Sequence, residues 1–367
     1  MGSQRSLLQA LEDICNVDVD AVDPNVSTAL PFKAHNQTSN QVICCDTILQ
    51  PEYRDMYLSK VKEYGSQGWE ETVQFCANNL KNITGRVLVQ VSPRHVYDTS
   101  AVLAQCYAYD RAFKDAGVSR DRYAIKISVT GPSMVAAKQL NKEGIRILGT
   151  SVFSLAQAIA ASQAGCLFIS PYFNEVAAYS DDSLMHKGDG SALTHPMAPR
   201  LIHILETYAR LYRETGTPQP IVVIASNANI AEILATAELG CQHITILAHH
   251  LKELASVPLD ETALAQYPLL RNPPAKKTPP YYDVQTTPER LRAHSTSDAI
   301  AGPEWDGTFA STEVDWLAGE GGALDRAMQS DAAVVKKMKD VLGAFLGADE
   351  RAKGAIEAEI VKMEGVI

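Results

Sequence analysis

The run Tyr123–Val129 (YAIKISV) places a lysine, Lys126, among apolar residues. Lysine is seldom buried unless it is paired or functional. Loss of hydration disfavours the ammonium form and lowers the pKa. A neutral amine can then add to a carbonyl and form a Schiff base. Position alone fits two other roles equally well: an edge-strand lysine reaching water, or a buried lysine paired with a carboxylate.

Polar residues recur at the ends of other β-like runs. Asn16–Asp20 ends in Asp20, with Asp23 three residues on. Asn36–Ile43 carries Thr38, Ser39 and Asn40, Arg86–Ser92 carries Gln90, and Ile145–Ser151 carries Thr150. Cys166–Pro171 holds Ser170 and is followed by Tyr172, and Pro220–Ser226 ends in Ser226. Gathered around one lysine, these groups supply an acid/base, hydroxyls to hold a water, and amides to orient a hydroxylated substrate. Each could also serve only as a turn or cap residue, and Asp23 before Pro24 reads that way.

These residues need strands to carry them. With Tyr123–Val129 and His243–Leu247 the β-rich runs number eight, several of them near-continuously apolar, as strands covered on both faces are. Helical patterns lie between them: Tyr53–Tyr64, Trp69–Leu80, Ser100–Ala116, Ser133–Lys142, Phe153–Ala164, Pro199–Thr215 and Ile230–Glu238. Gly165 and Gly240 close two of these helices. The alternation predicts an α/β fold, a (β/α)8 TIM barrel with its site at the C-terminal strand ends. An open doubly wound sheet shares the local pattern, but no GxGxxG follows an early strand.

Residues 1–367 are expected to form a single barrel domain. Two segments stand outside the repeat. Residues 272–310 are a Pro-rich irregular insertion, read either as a lid over the barrel mouth or as an exposed spacer. Residues 313–367 are helical, with Val334, Val335, Met338, Val341, Leu342 and Phe345 at helical spacing. That stripe packs on the barrel or forms a homodimer contact.

Composition bounds the rest. The chain of 367 residues is 46% hydrophobic and 21% charged, which excludes a disordered or fibrous chain. Its 33 basic and 43 acidic residues give −10, which argues against a nucleic-acid partner. No apolar run reaches membrane-spanning length, and the acidic first twenty residues do not fit a secretory signal. The seven cysteines contain no CxxC, so reduced, buried thiols in a cytoplasmic protein are expected. Adjacent Cys44 and Cys45 lack zinc-ligand spacing.

The segment from Ile125 to Pro171 resembles the transaldolase family of class I aldolases. The resemblance is carried by Ile125-Lys126-Ile127 with Thr130, by Ala136–Ile145 (AAKQLNKEGI), by Thr150, by Phe153–Ala158 (FSLAQA), and by Ala164-Gly165 leading to Ile169-Ser170-Pro171. Thr38-Ser39-Asn40 and Leu251–Leu254 (LKEL) extend it to roughly Asn16–Leu254. The resemblance implies that Lys126 is the Schiff-base lysine and Asp20 the acid/base. It further implies that Thr150 holds the catalytic water, Asn40 positions the intermediate, and Ser170 and Ser226 line the pocket. Ser39 and Asn174 join the substrate-facing set.

Departures from the pattern are as informative. Gln90 stands for a glutamate and Tyr172 for a phenylalanine, and both look like the fructose-6-phosphate aldolase branch. Leu148 replaces an asparagine and Gly131 a tryptophan. Glu175 and Ala228 stand where the family has phosphate-binding arginines, and a carboxylate there would repel a phosphate. Arg94, His95, Lys187, His249 or His250 could supply replacement charge, or be ordinary rim residues.

The implied function is a transaldolase-like aldolase with no metal or organic cofactor. Its substrates would be a ketose or hydroxyketone donor and an aldehyde acceptor that need not be phosphorylated. Ordinary transfer of dihydroxyacetone between sugar phosphates, and an inactive barrel with a binding role, are the alternatives.

Overall fold

The computed structural model describes residues 5–54, 58–59, 76–179, 181–283 and 287–364. Eight parallel strands close into a barrel in chain order, the last pairing with the first. They are β1 (Asn16–Asp20), β2 (Gln37–Thr38), β3 (Val87–Gln90), β4 (Tyr123–Ser128), β5 (Ile147–Val152), β6 (Phe168–Pro171), β7 (Ile221–Ile224) and β8 (His243–Leu247). The closed barrel settles the choice against an open sheet.

The expected second strand, Asn36–Ile43, is much shorter than read. The Asn40 side chain accepts the Ile43 amide and starts a helix, Gln41–Ile48, where the strand was expected to continue. Asp23 caps Pro24–Thr28, as its place before proline suggested. Gly165 and Gly240 take left-handed φ values of 72° and 90° at their helix ends, where a side chain would be strained. The expected helices Tyr53–Tyr64 and Trp69–Leu80 lie largely outside the described residues.

Strand alternation builds two apolar layers. Val17, Val19, Val87, Val89, Ile125, Ile127, Ile147, Ile169, Val222 and Ile244 face outward into the shell shared with the helices. Leu88, Ala124, Leu148, Phe168 and Val223 meet inside the barrel. Leu148, standing for the family's asparagine, is part of that inner plug. Below it lies a polar floor. Asp18 accepts the backbone and side-chain nitrogens of Asn36, each at 2.9 Å, and sits 3.0 Å from His243 Nδ1. Above it, the same alternation points Asp20, Thr38, Gln90, Lys126, Thr150 and Ser170 toward the C-terminal mouth.

The Pro-rich insertion is neither a lid nor a free spacer. Lys277 donates to the Gly240 carbonyl, Tyr282 to the Pro220 carbonyl and Lys276 to Glu12, all at the N-terminal end of the barrel. Farther on, Arg200 pairs with Asp298 along the helix Ala198–Thr215.

The mouth is covered instead by the C-terminal helix, Ala332–Glu364. Its Asp340 accepts the Ala177 amide after β6, and its Asp349 accepts the Ser92 hydroxyl after β3 at 2.6 Å. Its Ala348 and Ala352 pack on Cys45 after β2. Val334, Met338, Val341 and Phe345 are buried, while Val335 is exposed, so the stripe is narrower than read. Helical structure resumes at Gly322, not at Glu313. Among the described residues no helix is long and apolar enough to cross a membrane.

Candidate active site

A cavity of about 880 Å³ opens at the C-terminal strand ends, a volume suited to a small metabolite. Asp20, Asn40, Lys126, Tyr172 and Ser226 all line it, and the C-terminal helix adds Phe345 and Arg351.

Lys126 is 2% exposed. Its backbone is in register with Gln90 on β3 and Leu148 on β5, which aims the side chain up the barrel axis. The ammonium nitrogen lies 3.4 Å from the Ser39 carbonyl. Burial pushes its pKa down, and the nearby Asp20 carboxylate opposes that only in part. Burial pushes Asp20 up, against the pull of Lys126 and a hydrogen bond from Thr38. Thr38 Oγ1 lies 2.5 Å from Asp20 Oδ1 and 2.5 Å from Thr245 Oγ1. With its single proton given to Asp20, Thr38 accepts from Thr245, and this relay fixes the carboxylate rotamer. Thr245 also lines the cavity. Sequence reasoning missed it, though its inward parity two residues after His243 was a usable signal.

Thr150 Oγ1 donates to Tyr172 Oη at 3.3 Å. Burial raises the Tyr172 pKa, so the phenol keeps its proton. Two hydroxyls are thus paired beside the cavity. Gln90 and Ser170 are buried near them, and neither their amide atoms nor the Ser170 hydroxyl finds a partner among the described residues. Ser226 takes a left-handed φ of 64°, a conformation costing about 1–3 kcal/mol in a non-glycine residue. Bonds with Asn174 hold it: Ser226 Oγ donates to the Asn174 carbonyl at 3.1 Å, and Asn174 Nδ2 donates back to the Ser226 carbonyl at 2.8 Å.

Other candidates are turned to internal partners. Asn174 is buried and also donates to Glu232 at 2.6 Å, so it supports the wall without lining the cavity. The Ser39 hydroxyl donates to the Leu88 carbonyl, and only its carbonyl meets Lys126. Arg94 pairs with Glu350 and borders a separate groove. Glu175 does not line the cavity; Lys336 and Lys337 of the C-terminal helix bind it at 3.0 and 3.3 Å. The expected repulsion is therefore neutralised outside the cavity. Ala228 offers only its amide, which Glu232 takes at 2.7 Å. Of the proposed replacement charges, His250 alone lines the cavity; His95, Lys187 and His249 do not.

Gly131 also has a structural reason. A β-carbon there would lie 2.1 Å from the Gly321 carbonyl oxygen, and the Gly131 amide donates to Asp325 at 2.7 Å. The C-terminal segment occupies the space that the family's tryptophan would need. Among the described residues no group of three or more His, Cys, Asp or Glu side chains is placed to hold a metal ion.

A closed parallel barrel with a buried lysine and a facing carboxylate at its C-terminal end defines a barrel enzyme. Residues 16–288 match the family model described as Transaldolase/Fructose-6-phosphate aldolase. The chain is 29% identical over 307 residues to a transaldolase of Edwardsiella ictaluri (strain 93-146), covering 80% of this chain and 93% of that protein. It is 31% identical over 259 residues to a transaldolase of Yersinia pseudotuberculosis serotype O:3 (strain YPIII), covering 68% of this chain and 78% of that protein. The chain belongs to the transaldolase/fructose-6-phosphate aldolase family and is an enzyme of that type.

Proposed function

We propose that Lys126 forms a Schiff base with a ketose or hydroxyketone donor and that the partner aldehyde is not phosphorylated. The observation that carries the first part is a buried lysine of lowered pKa sharing one cavity with Asp20. The neutral amine adds to the donor ketone, and the carbinolamine loses water to give the imine. Asp20 takes the hydroxyl proton on the carbon beyond the breaking bond. The C–C bond then cleaves, an aldehyde leaves, and its electron pair stays on the donor as an enamine. Attack of that enamine on a second aldehyde gives transfer; its protonation and hydrolysis release the donor. The paired hydroxyls of Thr150 and Tyr172 are suited to hold the water these steps exchange.

The second part rests on charge. Among the described cavity-lining residues, Lys126 and Arg351 face three carboxylates: Asp20, Asp46 and Asp340. That balance is poor for a phosphate dianion. Ala228 and the sealed Glu175 supply no replacement cation. The second reading is dihydroxyacetone transfer between sugar phosphates, in keeping with the relatives' name. It is favoured by Arg351, whose side chain is 56% exposed and 3.9 Å from Asp46.

Incubation with dihydroxyacetone, borohydride reduction and mass measurement test the lysine. A covalent adduct is expected on the native enzyme and none on Lys126→Ala; an adduct that survives the substitution refutes the assignment. Comparing glyceraldehyde with glyceraldehyde 3-phosphate as acceptor tests the second part. A strong preference for the phosphate, lost in Arg351→Ala, would establish the second reading instead.

A further inference from the structure

Around Lys126 the cavity is polar: Asp20, Asn40, Tyr172 and Ser226 suit a hydroxylated donor. Farther out its lining changes character. Val42, Ile43, Val176, Leu247 and Ala344 line it, and each is only half-buried, so apolar surface is left unpacked. Local structure puts these side chains there. The Asn40 cap starts the helix Gln41–Ile48 just past β2, and Val42 and Ile43 fall in its first turn. Val176 follows Glu175, which Lys336 and Lys337 hold outside the cavity. Leu247 ends β8, and Ala344 comes from the C-terminal helix.

The charged lining groups of those two helices are engaged with protein. Asp340 accepts the Ala177 amide at 3.0 Å. Arg351 lies 3.9 Å from Asp46, with both side chains more than half exposed, which places the pair at the rim. Between rim and lysine the wall is apolar, and a small, fully hydroxylated reactant has no group that gains from it. The cavity, at about 880 Å³, is also near the top of the roughly 300–1,000 Å³ range of small-molecule sites, with room for a longer molecule.

Position says which reactant meets this wall. The donor is fixed at Lys126. Beneath it the inner apolar plug closes the barrel, so the rest of the product extends toward the mouth. Asp20, which serves the acceptor-derived hydroxyl, is in register with Thr38, just before the helix Gln41–Ile48, and with Leu247. A chain leaving Asp20 outward therefore runs between that helix and the C-terminal helix. We propose that Val42, Ile43, Val176, Leu247 and Ala344 form a subsite for an acceptor aldehyde that carries an apolar alkyl chain. The enamine carbon bonds the aldehyde carbon, the carbonyl oxygen takes the Asp20 proton, and water hydrolyses the resulting imine to free Lys126. This rests on the aldolase reading of the cavity and adds the acceptor's chemical class.

The test follows addition of dihydroxyacetone to straight-chain aldehydes from propanal to octanal on the full chain, with glyceraldehyde as the polar reference. Acceptor kcat/KM is expected to rise about two- to fourfold per methylene until the wall is covered; fourfold is the ~0.8 kcal/mol of one fully buried methylene. A flat or falling series overturns the proposal. Ala344→Leu fills the subsite, so the series should peak at a shorter aldehyde than in the native enzyme. Ile43→Thr and Val176→Thr put a hydroxyl on the wall with little change of bulk. Each should cut the hexanal-to-glyceraldehyde ratio of kcat/KM about threefold or more, whereas a general loss of fold lowers both aldehydes and leaves the ratio. An unmoved peak, or an unchanged ratio in both threonine variants, overturns the assignment. Equilibrium titration with hexan-1-ol, which has no carbonyl to attack, reads the subsite without turnover, and its Kd should rise in both threonine variants. Hexanol binding that ignores both substitutions counts against the subsite. The dihydroxyacetone adduct separates the two readings. If the native enzyme forms none while hexanol binding still depends on Ile43 and Val176, the lysine assignment fails and the apolar subsite stands.

Discussion

Lys126 and Asp20 tune each other. Burial lowers the lysine pKa and raises the aspartate, and each charge partly restrains the other's shift. A lowered lysine pKa means that the neutral amine is present at lower pH, so the rate of imine formation should reach its plateau below the pH of a free lysine. Asp20→Asn removes the carboxylate that favours the ammonium form. The plateau should then move to still lower pH, while C–C cleavage falls by about 10²–10⁴-fold with loss of the proton acceptor. Borohydride trapping across pH reads the first effect and steady-state turnover the second. A plateau moving upward would contradict the electrostatic assignment. On its acid side, native turnover should fall off at a pH above the ordinary aspartate value, because Asp20 is raised.

At the scale of elements, the C-terminal helix docks through groups that report on it. Asp349 is buried with one oxygen bonded to Ser92 and the other without a partner among the described residues, and burial raises its pKa. A raised folded pKa gives stability that is complete below the unfolded pKa and is lost as pH rises through the folded one. Asp349→Asn removes that loss. It should raise the melting temperature at neutral pH and change it little in acid; equal effects at both pH values would refute the linkage. The loop before the helix Gly322–Ser330 meets Gly131 backbone to backbone. Gly131→Ala should therefore destabilise by about 1–3 kcal/mol in urea unfolding, as overpacking does. Neither feature could be read from local pattern. Residues 313–367 showed helical periodicity, but periodicity does not name the surface a helix covers.

Over the whole molecule, the barrel separates stability from chemistry along its axis. The floor of Asp18, Asn36 and His243 lies at the N-terminal end and the cavity at the other, with the inner plug between them. Asp18→Ala strands the Asn36 backbone donor and leaves Asn36 Nδ2 only His243 Nδ1, 3.2 Å away, so it should cost about 1–3 kcal/mol. The protein that remains folded should keep its kcat, which thermal melting and activity at reduced temperature would check. A kcat loss matching that of Lys126→Ala would mean that the floor belongs to the site.

Local pattern carried the eight strands, because their alternation is written in neighbouring residues. It carried Lys126, Asp20, Asn40, Tyr172 and Ser226 as well, because strand ends in a barrel converge by geometry. It placed β1 and β8 residue for residue, yet overran β2, where the Asn40 cap ends the strand. What only the tertiary structure decided is what closes the mouth and what charge remains inside. Ser92 meets Asp349 across 257 residues, and Glu175 meets Lys336 across 161. Contacts of that separation leave no periodic trace in the chain. The sequence therefore pointed to a lysine and its barrel, while packing placed Glu175 outside the cavity and Asn227 and His250 on its wall.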